Sequence, residues 1–119
     1  MALLLCATAL AWPQVREGNF SIRFAPDADL QANAEVPFHI HVLDDLRKPL
    51  MNAQVTLQIE TAQHTQVKIF RAPQIEPGVY LAKPVFPFAG QWIVYVEVHH
   101  DGEVSARTIE HSVPETASR

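Results

Sequence analysis

The chain has 119 residues, of which 48% are hydrophobic and 18% charged, and its formal net charge is −4 with six histidines counted as neutral. This length fits one domain, and this composition excludes an intrinsically disordered chain. A general nucleic-acid binder needs clustered Lys and Arg, so we expect no nucleic-acid partner. Nine prolines and only four glycines favour short strands over long helices.

The chain opens with a segment typical of a secretory signal. The run from Ala2 to Ala11 is largely apolar and ends in Ala9-Leu10-Ala11, an A-x-A cleavage pattern. It is about half the ~20 residues that span a bilayer. No Lys or Arg follows Met1, so a buried N-terminal strand or helix is the alternative. We expect residues 1–11 to be a signal-like segment, cleaved after Ala11, and the protein to be exported to the periplasm or the cell exterior.

Cys6 is the only cysteine in the sequence. Cleavage after Ala11 would remove it and leave a chain without any disulfide, in a compartment that permits them. The core is therefore expected to depend on packing alone.

Seven later stretches alternate between apolar and polar residues, as half-buried strands do. The predicted strands are 15–24, 36–43, 53–59, 67–70, 79–82, 92–99 and 104–113. Pro77-Gly78 predicts a turn, and Asp101-Gly102 predicts a tight hairpin. The segment 84–88 is too rich in proline for a central strand.

The sixth predicted strand has the clearest pattern. Trp92, Val94 and Val96 occupy every second position and share one face, whereas Gln91 and Tyr95 lie on the other. We expect Trp92 at the centre of the core. The fold prediction is an immunoglobulin-like antiparallel β-sandwich of about seven strands over residues 12–114, followed by a loose tail at 115–119. A small barrel is the alternative.

The histidines are the only group of side chains in the sequence that suggests a binding site, and the site they suggest is for a metal ion. His39 and His41 flank Ile40, so they lie on the polar face of the second predicted strand, about 6–7 Å apart. Imidazole pairs bind copper or zinc, so His39 and His41 are the candidate metal ligands; two solvated side chains are the alternative. The secondary candidates are His64, His99, His100 and His111.

Alternating strand directions sort these side chains into two poles of the sandwich. His64, His111 and the region near His39 are expected at one pole. The opposite pole should hold His99, His100, Asp101, Asp44, Asp45 and Met51.

Three segments resemble a known family. They are His41-Val-Leu-Asp-Asp-Leu-Arg-Lys-Pro-Leu-Met-Asn-Ala-Gln-Val55, Pro77-Gly-Val-Tyr80 and Ala89-Gly-Gln-Trp-Ile-Val-Tyr-Val96. Over residues 36–113 they are similar to the YtkA-like and FixH-like domains. The resemblance implies an extracytoplasmic immunoglobulin-like module and, for FixH, a role in a membrane-associated complex that assembles copper-dependent oxidases. Only Met1 and Met51 are present, so a paired-methionine copper motif is missing.

No nucleophile elbow, phosphate-binding loop, dinucleotide fingerprint or H-E-x-x-H motif is present, so we expect no catalytic residue and no enzyme. The main functional hypothesis is an exported accessory module that binds a protein partner, through a sheet edge, a pole loop or an exposed apolar patch around Phe86 and Phe88. The alternative is a copper-handling domain that uses His39 and His41, with copper as the only cofactor considered.

Overall fold

The computed structural model describes residues 16–115 and shows two β-sheets packed face to face. The strands in these residues are β1 Arg16–Glu17, β2 Ser21–Pro26, β3 Phe38–Leu43, β4 Gln54–Thr61, β5 Val67–Arg71, β6 Gln74–Glu76, β7 Val79–Ala82, β8 Gly90–His100 and β9 Glu103–Val113. One sheet has the order β1-β9-β8-β4-β5 and the other β2-β3-β7-β6. The predicted immunoglobulin-like sandwich is confirmed. The predicted signal-like segment 1–11 and tail residues 116–119 lie outside the described residues.

Between residues 16 and 115 no helix has the length and apolar character needed to cross a membrane.

The first predicted strand is divided in two because the chain changes sheets at Gly18. β1 pairs parallel to the start of β9, with Arg16 opposite Glu103, whereas β2 pairs antiparallel to β3. A Cβ at Gly18 would lie 3.1 Å from both the Glu103 Cβ and the Ser105 Oγ, so the crossing is tight. β6 was not predicted, because its three residues lie between Pro73 and Pro77 and are too few to show a period.

The core lies between the sheets, and the predicted burial of Trp92 is confirmed, although its pairing with Thr61, the last residue of β4, places it toward one end of the core and not at its centre. Trp92 is fully buried, and its indole Nε1 donates a 3.0 Å hydrogen bond to the Phe88 carbonyl. Gln91 is exposed, so the predicted orientation of β8 is confirmed. The other fully buried large side chains are Tyr80, Phe38, Phe86, Ile40, Leu57, Ile59, Val42, Val94, Val96, Val98 and Val113.

The predicted exposed patch at Phe86 and Phe88 is wrong for Phe86. Phe88 is 43% exposed, but Phe86 is fully buried against Trp92, with ring centroids 5.6 Å apart. The Asn33 amide donates a 2.7 Å bond to the Phe86 carbonyl, and Phe86 forms a bridge with Ala32. The proline-rich segment therefore covers the core at this end instead of leaving it open.

Both predicted turns form, for different steric reasons. Gly78 has φ of +73° and approaches Pro49 so closely that a Cβ would lie 2.8 Å from the Pro49 Cβ. Asp101 and Gly102 have φ of 51° and 79° between β8 and β9. Two positive φ values are typical of the two-residue hairpin turn that Asp-Gly favours.

Candidate functional site

His39 and His41 lie on the outer face of the four-stranded sheet, because Phe38, Ile40 and Val42 point into the core. Their rings stack with centroids 6.5 Å apart and planes inclined by 28°. The His39 Nδ1 lies 2.6 Å from the Asp27 Oδ2. This bond orients the His39 ring through Nδ1, as carboxylates do for metal-binding histidines, and the side chain is 37% exposed.

The surroundings of His41 are less favourable to a cation. Arg23 lies directly opposite His41 on β2, and Val79 lies opposite it on β7. Neither neighbour supplies a third ligand, and the guanidinium is positively charged. Among residues 16–115, no three His, Cys, Asp or Glu side chains are grouped so that they could hold one metal ion. A structural zinc site takes four ligands, so this pair has the donors only for a weak, exchangeable ion.

Among the described residues, the secondary histidines do not complete a group of three or more metal ligands with this pair or with one another. His64 Nδ1 lies 2.6 Å from Glu60 Oε2 beyond the end of β4. His99 Nε2 lies 3.2 Å from Glu97 Oε1. His100, the next residue, projects to the other side of β8 and packs edge-on against Phe20, with ring centroids 6.0 Å apart. Adjacent residues of a strand project to opposite faces, so His99 and His100 do not converge on one point.

His111 projects into the sandwich, opposite Trp92 on β8. Its ring meets that of Phe38 edge-on at 5.8 Å, and its Nε2 is buried without a hydrogen-bond partner among the described residues. Burial lowers the pKa of His111 from its ordinary value of 6.5. His111 is therefore a half-buried residue whose charged form is disfavoured, and the four-stranded sheet separates it from His39.

The predicted second pole is partly reproduced. Met51, His99, His100 and Asp101 line one open hollow at the end of β8. Asp44 is engaged elsewhere, because its Oδ1 accepts 2.9 Å bonds from the amides of Leu46 and Lys48.

The outer face of the five-stranded sheet is the second surface of interest, and we call its central part the tyrosine face. It comprises two rows of side chains that cross β5, β4, β8 and β9. One row is Val67, Glu60, Ile93 and Glu110, and the other is Ile69, Gln58, Tyr95 and Thr108. Val67 is 50% exposed and Ile69 is 64% exposed. The alternation of β8 indicated that Ile93 and Tyr95 face outward, but the exposed aliphatic pair on β5 was not singled out.

The third surface of interest is a hollow lined by basic side chains, which the sequence did not predict. Arg23 of β2, Arg47 of the loop after β3, Arg107 of β9 and His41 line one hollow of about 360 Å³. These residues come from three separate segments of the chain, which the pairing of β2 with β3 and the packing of β9 against β2 bring together.

A scan of the chain against protein-family models found no match, and a search of curated proteins found none either.

Proposed function

We propose that this domain is a non-catalytic module that binds a partner protein through the tyrosine face. The observation that carries the proposal is the exposure of Val67 and Ile69 on the same sheet surface as Ile93 and Tyr95, with Glu60 and Gln58 between the two pairs. Large aliphatic side chains that are half or more exposed lose contact with water when a partner covers them. Non-obligate interfaces mix apolar and polar area in this way and are enriched in tyrosine.

The face is rigid before it binds. Its side chains stand on four strands joined by continuous antiparallel pairing, so few backbone degrees of freedom are lost on association. The Tyr95 hydroxyl donates a 3.2 Å bond to Glu97 Oε2, which limits the freedom of the ring. A preorganised surface of this kind suits recognition of a folded partner.

The contact should use the face of the sheet and not its edge. β5 is the terminal strand of its sheet, and Lys68 lies opposite the buried Ile59, so its side chain projects toward the layer between the sheets. A charged side chain that points inward at an edge discourages the addition of another strand. Glu60 lies between Val67 and Ile93 in one row and Glu110 lies at the end of that row, so they favour a partner that carries basic groups among its apolar ones.

Site-specific photo-crosslinking in the native host tests this proposal. A photoreactive residue in place of Ile69 should give one discrete crosslinked protein. The same residue in place of Ala25, exposed on β2 in the other sheet, should not. Adding Tyr95→Glu to the Ile69 probe should remove the product while the melting temperature changes little. The same products from both positions, or a product that survives Tyr95→Glu, would contradict the proposal.

We also propose that the module acts outside the cytoplasm. Support comes from the apolar segment ending in Ala9-Leu10-Ala11 and from the resemblance to YtkA-like and FixH-like domains. Mass spectrometry of the protein isolated from its host should find an N-terminus at Trp12. A cytoplasmic product that still begins at Met1 would contradict export and would leave the interaction proposal untouched.

Copper binding is a second candidate, favoured by the Asp27 bond that orients His39 beside the stacked ring of His41. Two imidazoles should bind Cu(II) more strongly than Zn(II), following the general stability order. Calorimetric titration with Cu(II) should give a heat of binding that the His39→Ala/His41→Ala double variant loses and His64→Ala keeps. Equal heats in all three proteins would rule out this pair.

A further inference from the structure

The hollow lined by Arg23, Arg47, Arg107 and His41, here called the arginine hollow, is a concentration of positive charge on an acidic protein. The formal net charge of the chain is −4, yet three of its nine Lys and Arg residues surround this one cavity. No Asp or Glu is among the residues that line it. A small cavity with one sign of charge attracts ligands of the opposite sign.

The three arginines have no ion-pair partner within the part of the chain described. The ion pairs in that part, taken within 4.0 Å, are those of Arg16 and of four histidines, and none involves Arg23, Arg47 or Arg107. The loop of Arg47 also carries Asp44, whose Oδ1 accepts two backbone hydrogen bonds, and Asp45, and neither carboxylate forms an ion pair with Arg47. The guanidinium groups therefore keep most of their donors available, and each has five in a planar fork.

One arginine is held in place by the fold. Arg107 reaches from β9 across the open side of the sandwich, and its NH1 donates a 2.8 Å hydrogen bond to the Ile22 carbonyl on β2. That bond uses one of its five donors. Arg23 and His41 are fixed as direct neighbours by the pairing of β2 with β3. Donors that the fold already holds in place lose less conformational entropy when they bind an oxyanion.

The rest of the wall is apolar. Leu43, Pro49 and Val79 line the hollow beside the basic groups, and its volume of about 360 Å³ lies in the range of small-ligand sites. Arginine forks match the geometry of carboxylate and phosphate oxygens. We propose that the arginine hollow binds the carboxylate or phosphate head of a small organic anion whose apolar part rests on Leu43, Pro49 and Val79.

This site is independent of the tyrosine face. The arginine hollow opens at the four-stranded sheet, whereas the tyrosine face belongs to the outer surface of the five-stranded sheet. Loss of anion binding should therefore leave the crosslink from Ile69 unchanged, and the two proposals can fail separately.

The test is an NMR titration of the full chain with inorganic phosphate, benzoate and phenyl phosphate. The amides of Arg23, Gly78 and Val79 should shift saturably, and phenyl phosphate should bind more tightly than inorganic phosphate because its ring contacts the apolar wall. Comparison of benzoate with phenyl phosphate identifies the preferred head group.

A matched pair of double variants separates a site from general charge attraction. Arg23→Gln/Arg47→Gln should weaken binding by about tenfold or more, because each removes charged hydrogen-bond donors. Arg16→Gln/Arg71→Gln removes the same charge away from the hollow and should change affinity little. All four side chains are exposed, so both variants should fold. Equal weakening in the two variants, or no saturable shift with any of the three anions, would overturn the proposal.

Discussion

At the scale of single residues, Tyr80 joins the four-stranded sheet to the loop before β4. Its buried hydroxyl donates a 2.7 Å bond to the Leu50 carbonyl and accepts a 3.0 Å bond from the Ala53 amide. Tyr80→Phe keeps the ring but leaves both backbone groups without this partner. The free energy of unfolding should fall by roughly 1–3 kcal/mol, the cost of unsatisfied buried polar groups. Urea denaturation measures the change.

Tyr95→Phe is the matched control for that substitution. The Tyr95 hydroxyl bonds only to the side chain of Glu97 on the outer face, where water can replace it. Its loss should change the free energy of unfolding by much less than Tyr80→Phe. Similar losses from the two substitutions would mean that the Tyr80 bonds do not stabilise the loop.

His111 should make the domain less stable in mild acid. Burial lowers its pKa in the folded chain, whereas the unfolded chain keeps the ordinary value of 6.5. As pH falls below about 6.5 the unfolded state takes up a proton that the folded state resists, so the free energy of unfolding decreases until the lowered pKa is reached. Above that window, His111 is neutral in both states and contributes no pH dependence.

His111→Gln isolates this effect, since the amide does not titrate. Between pH 7 and 5 the unmodified protein should lose more stability than the variant, by no more than about 1.4 kcal/mol per pH unit. Other titrating groups are common to both proteins and cancel in the difference. Parallel stability curves would show that His111 does not resist protonation.

The sequence predicted the orientation of the histidine pair but not its environment. Alternation along β3 was enough to put His39 and His41 on the outer face, as the structure confirms. Asp27 and Arg23 lie beside them only because β2 pairs with β3, and a single sequence contains no signal for that pairing. The arginine hollow was missed for the same reason, since its groups come from three separate segments.

At the scale of strands, the sequence predicted which side chains of β8 face the core, but it did so only in part for β9. The inward face of β8 is uniformly apolar, from Trp92 to Val98. The inward positions of β9 include Ser105, Arg107 and His111, because this strand lies at the side of the sandwich, where polar groups reach the Phe20 amide and the Ile22 carbonyl. A local polarity pattern does not reveal such long-range bonds.

The turn between β6 and β7 should not tolerate any side chain at Gly78. A residue other than glycine with positive φ costs roughly 1–2 kcal/mol. At Gly78, φ is +73° and the added Cβ would also lie 2.8 Å from Pro49. Gly78→Ala should therefore reduce the free energy of unfolding by more than that conformational cost alone, as measured by urea denaturation.

Gly102→Ala provides the comparison, because φ is +79° and nothing lies within 4 Å of the added Cβ. It should show the conformational cost by itself. The difference between the two variants measures the contact with Pro49, which helps to form the wall of the arginine hollow. Equal losses would mean that the loop carrying Pro49 moves away at no cost.

At the scale of the whole molecule, the two sheets share one core. Phe24 and Phe38 of the four-stranded sheet lie 6.4 Å apart between ring centroids, Phe38 lies 6.4 Å from Phe86, and Phe86 lies 5.6 Å from Trp92 of the five-stranded sheet. Alternation and turn signals predicted the layers. The order of strands in each sheet depends on these contacts between distant segments and was beyond single-sequence reasoning.

A shared core predicts that the sheets unfold together. Neither sheet can keep its inner face buried once the other has separated, so partly unfolded forms should not accumulate. Native-state hydrogen exchange should give the same opening free energy for the amides of Ile40 in β3 and Val94 in β8, equal to the global value from urea denaturation. A reducing agent should not alter this value, because one cysteine cannot form an internal disulfide. A distinctly lower free energy at Ile40 would show that the four-stranded sheet opens by itself, and that the aromatic chain from Phe24 to Trp92 does not couple the two layers.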